Sequence, residues 1–298
     1  MSASIYGESA ALFTAFCWTI TSLAFESAGK KVGSLSVNII RLWFAIGIYF
    51  AFLWIYRGSP VPLDAGTHQW VWLALSGIAG FVIGDLFLFQ SFVLIGARLS
   101  LLIMALVPPL TAFMGYLFLD EILEIKALLA IAITLSGIGL VVLSKKRGER
   151  WKSSVPAKGM LIALLGAIGQ SGGLILSKYG MEDYDPFASS QIRIFAGALG
   201  FTIVFTVLRK WKDIGISFKN TRAIRDISIG TVFGPFLGVS FSLVAIKYTE
   251  AGIAATIMAM TPVLIIPAVV FGKKEKIGLR GILGAAIAVA GVALLFLW

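Results

Sequence analysis

The sequence has 298 residues, of which 58% are hydrophobic and 13% are charged, and its formal net charge at pH 7 is +10. A chain of this size could not keep so much apolar surface away from water, so its composition excludes a soluble globular protein and predicts a membrane protein. One cysteine, Cys17, and one histidine, His68, are too few for an internal disulfide or a cluster of metal ligands. Motifs for nucleotide phosphates are also absent, so we expect neither a metal nor a cofactor.

Stretches of about 20 apolar residues, the length that crosses roughly 30 Å of hydrocarbon as a helix, follow one another along the chain. These stretches are continuous and do not alternate with period two, which favours helices over a membrane β-barrel. The sequence therefore predicts an all-α membrane protein with ten transmembrane helices. The predicted spans are residues 8–27, 35–56, 69–95, 98–119, 125–144, 157–178, 187–208, 225–247, 251–272 and 277–297.

Two copies of one sequence unit make up the chain. Ile-Arg-Leu around Arg41 recurs as Ile-Arg-Ile around Arg193, 152 residues later. Ile-Met-Ala-x-x-Pro, which ends at Pro108, recurs with its end at Pro262, 154 residues later. A duplicated unit in an apolar chain is typical of a membrane transporter.

The duplication predicts two five-helix repeats, residues 1–144 and 157–298, joined by a basic linker at 145–156. Because five is an odd number, the second repeat must enter the membrane in the opposite sense from the first. The sequence therefore predicts inverted-topology repeats related by a pseudo-twofold axis in the membrane plane. A central site between such repeats can open to either side in turn.

Basic residues are distributed unevenly between the predicted loops. Of the 25 Lys and Arg residues, about 20 lie in or beside loops on one side of the predicted membrane and about five on the other. By the positive-inside rule, we expect the basic loops in the cytoplasm and both termini outside the cell (inner) membrane. The same asymmetry accounts for the positive charge, so we expect no nucleic-acid partner.

Both repeats carry the same short motifs in the same order. The first has Pro108, Asp120-Glu121-Ile122-Leu123 and Ser136-Gly137-Ile138, and the second has Pro262, Lys274-Glu275-Lys276-Ile277 and Ala290-Gly291-Val292. Trp18, Arg41 and Gly96-Ala97 belong to the same pattern. Over about 290 residues, the chain resembles the EamA-type repeats of the drug/metabolite transporter superfamily. The resemblance implies a transporter that exports small metabolites. It also implies cytoplasmic termini, opposite to the orientation that the charges favour.

Asp85 lies near the middle of the third predicted span, whereas the other acidic residues fall in loops or near helix ends. A charged carboxylate at the bilayer centre costs about 2.5–3.5 kcal/mol on insertion scales, so such residues usually face a cavity and a partner. We interpret Asp85 as the proton site or the site for a substrate cation. A hydrogen bond that only fixes helix packing is the alternative. The equivalent position in the second repeat is Val239, which favours a role that the repeats do not share.

Other candidates for the substrate site lie on the first two helices of each repeat. Trp18 and Ser22 fall on one face of the first helix, and Gln170 is the counterpart of Trp18. With Asn38, these residues are predicted to line a central cavity. Packing between helices through small residues would explain the polar and small residues on these helix faces equally well. Arg41 and Arg193 are candidates for substrate contact or for anchors near the membrane faces.

Methionine precedes proline by four residues at the same place in each repeat. Met104 precedes Pro108, and Met258 precedes Pro262. Because proline bends a membrane helix and methionine repacks easily, these pairs are predicted to form hydrophobic gates. Simple helix bends are the alternative interpretation.

These features favour a secondary active transporter that exports a small organic metabolite, such as an amino acid or an amphipathic compound, by alternating access and with possible proton coupling. An uncoupled exchanger of the same substrates is the main alternative. A structural membrane protein fits less well, since it would not need an inverted repeat. A lipid enzyme also fits less well, since the sequence has no cluster of acids or histidines for its chemistry. The expected partners are the small-molecule substrate and membrane lipid, for a monomer or homodimer.

Overall fold

The computed structural model describes residues 3–95, 100, 103–143, 157–267 and 278–297. These residues form helices and connecting turns, and they include no β-strand. The predicted linker at 145–156 lies outside them. The helices are α1 (Ala3–Val32), α2 (Ser34–Arg57), α3 (Thr67–Gly77, Ile78–Gly84 and Asp85–Ile95), α4 (Val107–Phe118), α5 (Ile125–Leu143), α6 (Ala157–Met181), α7 (Pro186–Val207), α8 (Trp211–Phe218), α9 (Thr221–Thr231, Val232–Gly238 and Val239–Tyr248), α10 (Ala251–Met258 and Thr261–Pro267) and α11 (Leu279–Leu297).

Eight helices in the described part of the chain are long and apolar enough to cross a membrane, namely α1, α2, α3, α5, α6, α7, α9 and α11. The predicted spans 98–119 and 251–272 contain the shorter apolar helix α4 and the helix pair Ala251–Pro267. Parts of both spans lie outside the described residues, so the count of ten stays a prediction. Large apolar side chains such as Trp54, Ile55 and Leu199 are exposed on the outer surface, as expected where helices face lipid.

Both repeats contain a seven-residue π-helical segment at the same place. The first runs over Ile78–Gly84 inside α3 and the second over Val232–Gly238 inside α9, 154 residues later. π-Helical turns are rare and occur frequently at functional sites, because they widen the helix and change the direction of the following side chains. The first residue after each segment is Asp85 in α3 and Val239 in α9.

Each repeat's first helix packs on the third helix of the other repeat. A Cβ atom added at Gly238 would lie 2.7 Å from the Trp18 ring, and one added at Gly234 would lie 2.7 Å from Thr21 Cγ2. The same relationship joins α6 to α3, where an added Cβ at Gly173 would lie 2.9 Å from the backbone of Gly80. These reciprocal contacts are those that a pseudo-twofold axis between the repeats would produce, as expected for inverted-topology repeats.

The last helices of the repeats also pack on each other through glycine. A Cβ at Gly137 of α5 would lie 2.3 Å from the backbone nitrogen of Ala288, and one at Gly291 of α11 would lie 2.3 Å from Thr134 Oγ1. Thr134 and Ala288 are themselves equivalent positions, 154 residues apart. Close helix approach through small residues is the usual packing mode where lipid removes the hydrophobic drive for helix association.

Candidate substrate and proton site

Asp85 follows the π-helical segment of α3 and lies inside the molecule, with 8% of its surface exposed. Its Oδ2 atom forms an ion pair with Arg41 Nη2 of α2. Its Oδ1 atom accepts a hydrogen bond of 2.8 Å from Gln170 Nε2 of α6. The carboxylate therefore links α2 and α3 of the first repeat to α6 of the second.

Glycine allows this approach between α3 and α6. A Cβ atom at Gly84 would lie 2.9 Å from Gln170 Nε2, and one at Gly169 would lie 2.9 Å from the backbone nitrogen of Gly84. The amide of Gln170 also donates to the carbonyl oxygen of Gly80 at 3.3 Å. That carbonyl belongs to the π-helical segment, so Gln170 binds both the carboxylate and the unusual backbone beside it.

The two equivalent arginines are both buried but have different partners. Arg41 is 8% exposed, forms the ion pair with Asp85 and lies over the Phe25 ring at 5.4 Å. Arg193 is 6% exposed and lies over the Phe81 ring at 5.2 Å. Its Nε atom has no hydrogen-bond partner, and among the described residues Arg193 forms no salt bridge. Both guanidinium groups are thus buried within the protein, and the choice between substrate contact and anchor stays a prediction.

Three further candidates from the sequence do not touch Asp85. Trp18 is half-buried against Gly238, in the position that Gln170 occupies in the other repeat. Ser22 is exposed, and its hydroxyl donates to the carbonyl oxygen of Trp18 in its own helix at 2.7 Å. Asn38 is 1% exposed, and neither atom of its side-chain amide has a hydrogen-bond partner. The structure thus brings Asp85, Arg41 and Gln170 together and leaves these three apart.

A second buried polar group, centred on Tyr49, was not predicted from the sequence. Tyr49 of α2 is fully buried, and its hydroxyl lies 2.7 Å from Ser240 Oγ and 3.1 Å from the carbonyl oxygen of Pro235. Pro235 lies in the π-helical segment of α9, so Tyr49 binds that segment from α2 as Gln170 binds the other from α6. A tyrosine in an aromatic-rich helix gives no sequence signal that distinguishes it from a lipid-facing one.

The predicted gates coincide with helix breaks. α10 is interrupted after Met258, and its second part begins at Thr261 beside Pro262. α4 begins at Val107, beside Pro108, after a turn at residues 105–106 that follows Met104. Equivalent backbone bonds close both turns, from Leu106 N to Ile103 O at 3.0 Å and from Met260 N to Ile257 O at 3.1 Å.

The side chains at the two helix breaks differ in how deeply they are buried. Met258 and Met260 are 3% and 2% exposed. At the equivalent positions, Met104 is half-buried and Leu106 is 44% exposed. The two equivalent turns therefore differ in burial, the turn in α10 being more deeply buried than the turn before α4.

A charged network ties the repeats together on the face where α6 ends and α10 begins. Glu121 forms an ion pair of 2.5 Å with Lys178 of α6, and its Oε2 atom accepts a hydrogen bond of 2.8 Å from the backbone nitrogen of Ala251. Lys178 Nζ donates to the carbonyl oxygen of Thr249 at 2.6 Å. Helix α5 begins only at Ile125, so Glu121 precedes it and caps α10 instead.

Comparison with known proteins agrees with this duplicated architecture. The model of the EamA-like transporter family matches residues 5–143 and again residues 157–297. This chain belongs to the EamA-like transporter family. As an EamA-like protein, it is a multi-pass membrane transporter.

Two similar proteins extend the comparison of this EamA-like chain. An uncharacterized transporter from Archaeoglobus fulgidus is 23% identical over 290 residues, which cover 96% of each chain. The crystal structure of another protein superposes with a TM-score of 0.78 at 18% identity, covering 99% of this chain and 96% of the other. The second likeness shows that the whole chain shares a fold with a solved structure.

Proposed function

We propose that this protein is a secondary active transporter that exports a small organic metabolite by alternating access, and that Asp85 carries the coupled proton. The observation that carries the proposal is the position of the Asp85 carboxylate, buried between Arg41 of the first repeat and Gln170 of the second. A movement of one repeat against the other must change at least one of these contacts. The protonation of Asp85 would then differ between the two states, which is what proton coupling requires.

The unequal gates support alternating access. In a pair of inverted repeats, the break in α4 and the break in α10 lie toward opposite membrane faces. The packed surroundings of Met258 close one path, while the exposure of Leu106 leaves the equivalent path less covered. Exchange of these two arrangements would open the central site to the other side.

Membrane orientation is part of the proposal. We place the protein in the cell (inner) membrane with its basic loops in the cytoplasm and its termini outside, following the positive-inside rule. The Glu121–Lys178 network would then lie on the outer face, and its contacts between α6, α9 and α10 would close that face in the present state.

Transport by purified protein tests the proposal. A thermal-shift screen of amino acids, nucleosides and amphipathic drugs would first identify a ligand. The protein is then reconstituted in liposomes, and uptake of that ligand is measured with an imposed pH gradient and after nigericin collapses it. We expect accumulation above equilibrium that nigericin abolishes. Downhill flux that ignores the gradient would instead indicate the uncoupled exchanger.

A further inference from the structure

The buried site around Asp85 contains one more cation than anion. Arg41, Arg193 and Asp85 are each at least nine-tenths buried. Asp85 pairs with Arg41, and the part of the chain that the structure describes offers Arg193 no carboxylate in a salt bridge. A guanidinium removed from water without an anion is costly, and more so within a membrane. Asp85 also interacts electrostatically with Arg193, so one negative charge faces two buried positive charges.

Comparison of the repeats identifies what Arg193 lacks. Arg193 is the equivalent of Arg41, and the position equivalent to Asp85 is Val239. Both Asp85 and Val239 directly follow a π-helical segment. The second repeat therefore keeps the arginine and the local backbone but has an apolar side chain where the first repeat has the carboxylate.

Buried polar groups lie near Arg193. Ser190 comes one turn before it on α7, on the same face, and the buried Ser190 hydroxyl lies within hydrogen-bonding reach of the Tyr49 hydroxyl. The Tyr49 hydroxyl lies close enough to Arg193 for electrostatic interaction. The guanidinium lies against the π-helical segment of α3, because a Cβ added at Gly80 would lie 3.4 Å from Arg193 Nη2.

We propose that Arg193 binds the carboxylate of the transported substrate. This inference rests on the proposed transport function and assigns the substrate class as small organic carboxylates, amino acids included. A carboxylate is the group that the equivalent Arg41 binds, and its single negative charge equals the unpaired positive charge. A phosphate monoester would carry about 1.5–2 negative charges near pH 7, more than the site lacks.

Ligand binding at equilibrium, without any gradient, tests the assignment. Thermal unfolding of the purified full-length protein is followed with hexanoate, benzoate and leucine, with their amides hexanamide, benzamide and leucinamide, and with phenyl phosphate. We expect at least one carboxylate to raise the unfolding temperature and its amide to have no such effect. If no carboxylate stabilises the protein, or if phenyl phosphate alone does, the assignment is wrong.

Two variants locate the binding group. Arg193→Gln should weaken binding of the active carboxylate by at least about 30-fold, the effect expected when one partner of a buried charged hydrogen bond is removed. Val239→Asp places an internal carboxylate at the position equivalent to Asp85. It should raise the unfolding temperature without ligand and abolish stabilisation by carboxylates, whereas the matched Val239→Asn variant should do neither.

If Arg193→Gln does not fold, Val239→Asp still tests the role of Arg193. Carboxylate binding that survives in Val239→Asp, or a Val239→Asp protein no more stable than Val239→Asn, would overturn the role of Arg193. Failure of the proposed proton coupling would give a different result. Carboxylates would still bind and the variants would still have the effects given above, but transport would not respond to the pH gradient.

Discussion

Gln170 and Trp18 occupy equivalent positions in the two repeats, and each lies against the glycine that ends a π-helical segment, Gly84 for Gln170 and Gly238 for Trp18. The same helix packing therefore presents an amide to one segment and an indole to the other. Only the amide has a carboxylate beside it, because Asp85 follows the first segment and Val239 the second. The repeats share a framework and differ in the chemistry placed on it.

Close packing of α3 on α7 depends on Gly77. An added Cβ would lie 2.3 Å from the backbone oxygen of Arg193, which cannot move as a flexible side chain could. We expect Gly77→Ala to destabilise the protein by about 1–3 kcal/mol, as overpacking typically does. Thermal unfolding in detergent measures the effect. Gly29→Ala is the matched control, because nothing lies within 4 Å of its added Cβ, and a loss of stability there equal to that of Gly77→Ala would contradict the packing argument.

The Glu121 network should stabilise the closed face. Glu121→Gln keeps an acceptor for the Ala251 backbone but removes the ion pair with Lys178, so we expect a loss of roughly 1–3 kcal/mol. Glu124→Gln, at an exposed position three residues later, should change stability little. Thermal unfolding again gives the measurement. Equal effects of the two variants would mean that the ion pair contributes nothing.

Cysteine labelling can detect the unequal gates. Native Cys17 is buried and should not react. A cysteine at Leu106, which is 44% exposed, should react with a maleimide, whereas one at Met260, which is 2% exposed, should be protected. Mass spectrometry of labelled protein gives the two rates. Similar rates would show that the gates are equally covered and would count against a state closed on one side.

A reporter fused after Trp298 tests the proposed orientation. With the termini outside, alkaline phosphatase fused there should be active and a fluorescent protein that matures in the cytoplasm should be dark. The reverse result would place the termini in the cytoplasm, as the family resemblance implies, and would put the Glu121 network on the cytoplasmic face.

The sequence predicts the duplicated all-helical framework because apolar length and repeated motifs are local signals. It does not predict the π-helical segments, since residues 78–84 and 232–238 have the composition of ordinary membrane helices. The third span predicted at 69–95 therefore contains a π-helical segment, Ile78–Gly84, directly before Asp85.

The candidate site was only partly predictable for a related reason. Asp85, Arg41 and Gln170 each stand out as polar residues in apolar spans, but their contact depends on how three helices are rotated and how closely glycine lets them approach. Ser22 shares a helix face with Trp18 and yet is exposed, although Thr21 and Phe25 on either side of it pack on glycines of α9. Helix periodicity predicts which residues share a helix face, but it does not predict which other helix packs on that face.

The pH dependence of transport by Asp85→Asn tests the central claim most directly. Asparagine keeps one acceptor oxygen for the donors Arg41 and Gln170 but cannot exchange a proton, so we expect this variant to lose both the pH dependence of transport and accumulation driven by the pH gradient. Asp64→Asn, in the loop between α2 and α3, is the matched control and should behave as the unmodified protein. Transport by Asp85→Asn with unchanged rate and unchanged pH dependence would contradict the account.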